Sequence, residues 1–105
     1  VAIADPDRTT PPLRTLVEEK RDAIQAAVAR HHGRRVRLFG SAARSEDRPG
    51  SDIDLLVDFD ADSSLFDLLR LTRELEELLG LPVDVVSTGG LKERDRRILA
   101  EAVDL

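Results

Sequence analysis

Gly40-Ser41-Ala42-Ala43-Arg44-Ser45-Glu46-Asp47-Arg48-Pro49-Gly50-Ser51-Asp52-Ile53-Asp54-Leu55-Leu56-Val57 joins a glycine-serine turn to two carboxylates at the start of an apolar strand. Residues two apart in a strand project to one face, so Asp52 and Asp54 converge while Ile53 and Leu55 turn into packing. Paired carboxylates on one strand face supply the hard oxygen ligands that a magnesium-dependent phosphoryl or nucleotidyl transfer requires. Gly40 permits a backbone turn that a Cβ would obstruct, and the amides after it can face a phosphate together with the Ser41 hydroxyl. Ten residues separate Ser41 from Asp52, enough to return the chain antiparallel and set turn and carboxylates at one sheet end. The chain contains no G-x-x-x-x-G-K-[ST], which excludes a P-loop.

Outward from this stretch, the strand before the turn is expected at Arg35 to Phe39, with Val36 and Leu38 on one side and Arg37 and Phe39 on the other. The second strand runs from Ile53 to Phe59, and Leu55-Leu56-Val57 makes it central and buried. Upstream, Thr10-Pro11-Pro12 opens a helix in which Leu13, Leu16, Val17, Ile24, Ala27 and Val28 keep helical spacing to His31, with Gly33 ending the run. Residues 1–10 show no periodicity and form a leader ahead of a single domain at 11–105. The connector carries a short helical turn at Ser41 to Ser45 and a reverse turn at Pro49-Gly50.

Downstream, Ser64 caps a helix with Asp67 three residues on. Leu65, Leu68, Leu69, Thr72, Leu75, Leu78 and Leu79 form its apolar stripe, and Gly80 with Pro82 stops it. That stripe is read as core or, in part, as a partner surface. A third strand spans Val83 to Val86, and a last helix from Ser87 or Thr88 turns Leu91, Ile98, Leu99, Ala102 and Val103 inward. The fold class is therefore α+β, an α/β sandwich in which helices pack a small mixed sheet.

A chain of 105 residues, 41% apolar, suffices for one small core and not for two domains. The absence of cysteine excludes disulfides and thiolate metal sites. No apolar run approaches the length of a membrane span, and Val1 to Pro12 lacks the basic flank and apolar segment of a signal peptide; a cytoplasmic protein is expected. With 16 basic against 21 acidic residues the formal charge is -5, which disfavours a broad nucleic-acid footprint and suits a basic partner. Arg30, His31, His32, Arg34, Arg35 and Arg37 make a local basic run, either a solvated helix end or a surface that attracts ATP or RNA. His31 and His32 have no carboxylate at metal-site spacing, so zinc is not expected.

Asp84 stands alone among valines on the third strand, its side chain opposite to Val83 and Val85. An aspartate there is expensive to bury unless it is paired or metal-bound. If its strand lies beside that of Asp52 and Asp54, three carboxylates come within reach of one or two magnesium ions, with Asp84 helping to deprotonate an attacking hydroxyl. Asp58 shares their phase but lies about 13 Å beyond Asp54 by strand rise, and is read as structural. Arg44 and Arg48 either touch phosphates or solvate the connector.

Leu38-Phe39-Gly40-Ser41 followed by Asp52-Ile53-Asp54-Leu55 resembles the signature of the minimal nucleotidyltransferases, the antitoxin-like branch of the DNA polymerase beta superfamily. Asp84 falls at that family's third strand carboxylate, and Ile98-Leu99-Ala100-Glu101-Ala102-Val103 resembles its last helix. The resemblance implies that Gly40, Ser41, Arg44 and Ser51 contact the nucleotide. It likewise implies that Asp52, Asp54 and Asp84 are both the catalytic and the Mg²⁺-binding residues. It further implies an antitoxin of a HEPN-type ribonuclease toxin, one that binds its partner and moves AMP from ATP to a tyrosine. A binding-only antitoxin, or a small-molecule nucleotidyltransferase with a separate acceptor subunit, shares the same fold. Ser45 stands where the family usually has glycine.

Overall fold

Two helices, α1 (Leu13–Glu19) and α2 (Arg21–Arg30), precede strand β1 (Gly33–Phe39) in the computed structural model, which describes residues 13–44, 52–90 and 96–105. The one-turn helix α3 (Gly40–Ala43), β2 (Ile53–Phe59), α4 (Leu65–Leu79) and β3 (Val83–Ser87) follow. A 3₁₀ turn (Thr88–Gly90), α5 (Arg96–Glu101) and β4 (Val103–Asp104) complete the described chain. The expected leader, the Thr10-Pro11-Pro12 start and the Pro49-Gly50 turn lie outside the described residues.

The sheet has the order β3-β2-β1-β4, so β2 is central, as its unbroken apolar run requires. It pairs antiparallel with β1, placing Leu38 opposite Leu55 and Phe39 opposite Asp54, and parallel with β3, placing Asp54 opposite Asp84. Val36, Leu38, Ile53, Leu55, Val57, Val83 and Val85 share one face, where they meet Val17 of α1, Ile24 and Val28 of α2, and Leu71 and Leu75 of α4. Every second residue of the three strands is thus committed to this core. The alternate residues, Asp54 and Asp84 among them, are left for the other face.

Helix α4 begins and ends as its sequence dictates. The backbone N–H of Ser64 donates to Asp67 Oδ2 at 2.8 Å, and Gly80 closes the helix in the left-handed region at φ 69° with its N–H on the Glu76 carbonyl. Its buried stripe, however, is Leu71, Leu75 and Leu79, with Leu68 and Leu78 packed beside them. Leu65 and Leu69, expected inward, are 69% and 54% exposed, and Phe66 is 68% exposed. The inward face is therefore narrower than the leucine spacing suggested, running through Leu68, Leu71, Leu75, Leu78 and Leu79.

Three further expectations are corrected. The first helical region is two helices, broken at Lys20, whose N–H still bonds back to Leu16 and Val17. The residue that leaves α2 through the left-handed region is His32 (φ 65°), not Gly33. Gly33 opens β1, and a Cβ there would collide with the Val28 side chain and approach its carbonyl oxygen to 2.9 Å. Ala102 and Val103 do not continue a helix, since Val103–Asp104 pairs antiparallel with β1 as a fourth strand. Among the described residues no helix is long and apolar enough to cross a membrane.

Candidate active site

Phe39, Asp54 and Asp84 occupy one row across three adjacent strands. Their side chains therefore emerge on the same face, the one the helices α1, α2 and α4 leave uncovered. Asp52 sits just before β2, exposed, in phase with Asp54. The start of β2 is held beside that of β3 by Ile53 N–H donating to the Pro82 carbonyl at 3.2 Å. The parallel pairing of β2 with β3 thus meets the condition on which Asp84 was expected beside Asp52 and Asp54 at one sheet end.

Immediately after Phe39 the chain enters the left-handed region at Gly40, φ 74°, and winds into α3. A Cβ built on Gly40 would overlap Asp54 Oδ2 and lie 3.1 Å from its carboxyl carbon. The glycine is therefore needed twice: for a φ that side chains disfavour and for the space the aspartate fills. Ala42 and Ala43 are buried in the core, which leaves Ser41 partly exposed at the outer side of the turn. Arg44 follows with its Nη1 2.9 Å from Glu101 Oε2 of α5.

Asp54 is half-buried, and burial pushes its carboxyl above the ordinary value of 3.8, with the negative charges of Asp84 and then Asp52 adding to the rise. Arg44 opposes the shift. Asp54 accordingly carries its charge at a cost that a cation in front of it would offset. Among the described residues no three carboxylate, histidine or cysteine side chains are close enough to hold an ion by themselves.

The basic run is absorbed by ion pairs. Arg30 and His31 both face Glu74, Arg34 faces Asp60, Arg35 faces Asp104, and Arg37 reaches Asp58 at 3.2 Å. Asp58 also accepts from the Thr88 hydroxyl, so it serves the opposite end of the sheet face from Asp54. Only Arg30, His31 and His32 belong to the helix end that was expected; Arg34, Arg35 and Arg37 are strand residues of β1. Ser51, Arg48 and Ser45 lie outside the described residues. Sequence reasoning missed Arg14, which donates from α1 to the Ala43 carbonyl at 3.1 Å, and Glu101, the partner of Arg44. The only local signal for Arg14 was its four-residue spacing from Glu18, to which it is also paired.

The chain thus sets a glycine turn against Asp54 on β2, with Asp84 beside it on the neighbouring parallel strand. A family model for the nucleotidyltransferase domain matches residues 18–104, and the chain belongs to that family. It falls in the minimal nucleotidyltransferase branch. A Methanocaldococcus jannaschii relative, provisionally named a protein adenylyltransferase, is 43% identical over 90 residues, covering 85% of this chain and 97% of its own. A solved structure provisionally assigned as a minimal nucleotidyltransferase superposes with a TM-score of 0.80 at 46% identity, covering 88% of this chain and 95% of that one. A toxin-antitoxin structure with AMP-PNP shares the fold at a TM-score of 0.69 and 19% identity, over 79% of this chain and 69% of that one.

Proposed function

We propose that this domain is a magnesium-dependent protein adenylyltransferase acting as the antitoxin of a HEPN-type ribonuclease toxin, and that it moves AMP from ATP to a toxin tyrosine. The observation that carries this is the registered pair Asp54 and Asp84 with the Gly40 turn packed against Asp54. The relative named for protein adenylyl transfer, which matches nearly end to end, supports the reaction class. The shared fold of a toxin-antitoxin structure with AMP-PNP supports the partner class.

Magnesium fits the residues present. The donors are carboxylate oxygens alone, Asp54 carries a charge penalised by burial and then by Asp84 and Asp52, and magnesium characteristically takes one or two carboxylates and completes its shell with phosphates and water. Asp52 and Asp54 would hold it, with Asp84 contributing to a second position. When bound, it supplies charge neutralisation on the triphosphate and the leaving pyrophosphate.

The chain's own groups do the rest. Gly40 and Ser41 would hold the triphosphate at the turn, with Arg44 at its end, and present the α-phosphorus toward Asp84. The acceptor hydroxyl forms its bond to the α-phosphorus as the bond to the bridging oxygen of pyrophosphate breaks, and its proton passes to the Asp84 carboxylate. A tyrosine hydroxyl has a pKa near about 10, so a base placed against it matters at neutral pH. Much of this small domain is spent on the sheet, its helices and the turn, so the acceptor arrives on a second macromolecule whose docking completes the site.

The test is incubation of the chain with its toxin partner, Mg²⁺ and α-labelled ATP, followed by intact mass measurement of the partner. Added AMP mass on a tyrosine is expected. A stable complex that neutralises the toxin with no mass gain would leave binding alone as the function.

A further inference from the structure

We infer that Arg14, a residue of the first helix remote in sequence from every motif, is a positioning residue for nucleotide binding. Its guanidinium is split between two acceptors. Nη1 donates to the Ala43 carbonyl at 3.1 Å, and Nε donates to Glu18 Oε1 at 3.2 Å, which orients the fork along α1.

Ala43 is the last residue of α3, and a helix of one turn leaves nearly all of its carbonyls without partners of its own. Gly40 O accepts from Arg44 N–H at 3.3 Å, and the Ala43 carbonyl has Arg14. Removing that donor leaves a partly buried acceptor to find water and takes away the hydrogen bond that fixes the end of α3 on α1 beside their shared apolar packing. The same short turn sets Ser41 at one end and Arg44 at the other, and its first residue is the one packed against Asp54. Its far end is steadied by the Arg44–Glu101 pair, which is exposed and correspondingly weak. Arg14 thus supplies a tether less exposed than the Arg44–Glu101 pair on the element that would present the triphosphate to Asp54. It acts through the turn and does not itself reach the carboxylates.

The inference rests on the proposal that the turn holds the triphosphate, so the experiment carries a control for that. Mg²⁺-ATP binding by calorimetry, KM and kcat of adenylyl transfer, and melting temperature are measured for wild type, R14M, R14K and S41A. R14M keeps the apolar stem and removes the donors. It is expected to weaken ATP binding and raise KM roughly tenfold, as misplacement of a binding element does, with kcat much less affected. R14K retains a donor able to reach Ala43 and is expected to restore most of the affinity. A residue needed only for folding would lower the melting temperature without this division between KM and kcat. If R14M does not fold, R14Q takes its place in the same comparison. R14M binding ATP as tightly as wild type while S41A binds weakly would overturn the role of Arg14 alone. Unchanged binding in S41A as well would remove the nucleotide site at the turn, and the inference with it.

Discussion

Gly40 and Asp54 are packed so closely that one methyl group on the glycine would overlap Asp54 Oδ2. Their pairing neighbour explains why: Phe39 lies opposite Asp54 in the antiparallel register, so the residue after Phe39 must turn away directly over the carboxylate. The glycine of the turn and the aspartate of the strand are one structural unit.

Gly40→Ala should therefore do more than strain the backbone. Gly80 has a similar positive φ, 69° against 74°, yet nothing lies within 4 Å of a Cβ placed there. Each substitution is expected to cost about 1–2 kcal/mol from the left-handed conformation. Only Gly40→Ala should also displace Asp54 and weaken Mg²⁺-ATP binding by tenfold or more, whereas Gly80→Ala should bind normally. Denaturant unfolding and calorimetry on the two variants check the contrast.

The raised carboxyl of Asp54 has a sign that can be followed into stability. Burial, Asp84 and Asp52 make the charged form costly in the fold, so the native state binds the proton more readily than the unfolded chain does. The penalty is fully present above the raised native value and is relieved as pH falls through it toward the ordinary 3.8. Asp54→Asn, free of that charge, should melt higher than wild type at neutral pH without metal, and the difference should shrink on acidification. Millimolar Mg²⁺ should stabilise wild type and leave the variant nearly unmoved. Melting curves across pH, with and without Mg²⁺, provide the measurement.

Helix α4 separates core from surface within a few residues. Leu71 is fully buried while Phe66 is 68% exposed. Leu71→Ala should cost about 2–4 kcal/mol, which in a domain this size lowers the melting temperature by about 10 °C or more. Phe66→Ala should change stability by no more than about 0.5 kcal/mol. Leu56 and Val57 of the central strand, both fully buried, should behave as Leu71 does.

Where a feature depended on local chemistry, it was legible in the sequence. Strand β2 is Ile53–Phe59 as its composition indicated, Ser64, Asp67 and Gly80 delimit α4, and the period of two turned Asp54 and Asp84 each away from the apolar face of its own strand, while their juxtaposition waited on the pairing of β2 with β3. What depended on distant partners was not. Val103–Asp104 is a two-residue strand held by β1, by Arg35 on Asp104, by Gln25 on the Leu105 carbonyl and by Leu105 N–H on Val36. Nothing in a run of Ala102 and Val103 distinguishes that from a helix end. Gly33 resembled a helix stop, but its role is close approach to Val28, visible only once α2 folds back on the sheet. Leu65 and Leu69 share the spacing of Leu75 and Leu79, and periodicity alone does not show how far the core beneath a helix extends. At the site, the carboxylates were evident while Arg14 and Glu101 were not, because hydrogen bonds that tether a turn from other helices leave no spacing signature.

On the proposed reaction, Asp84 is the residue whose removal should separate chemistry from binding. It is exposed, on an edge strand, and beside Asp54 in the parallel register, so its removal leaves the turn, the central strand and the core untouched. Asp84→Ala is expected to fold with wild-type stability, to retain most of its ATP and toxin binding, and to lose adenylyl transfer by a factor on the order of 100 or more, the contribution typical of a positioned base. Asp52→Asn with Asp54→Asn should instead lose Mg²⁺-dependent ATP binding itself. The two variants are compared by calorimetry, by intact mass of the partner after reaction, and by toxin neutralisation. Neutralisation by Asp84→Ala at wild-type strength, with no AMP on the partner in either case, would show that protein contact alone disarms the toxin. Loss of both transfer and neutralisation with the complex intact would tie the antitoxin effect to the carboxylate row at the end of the sheet.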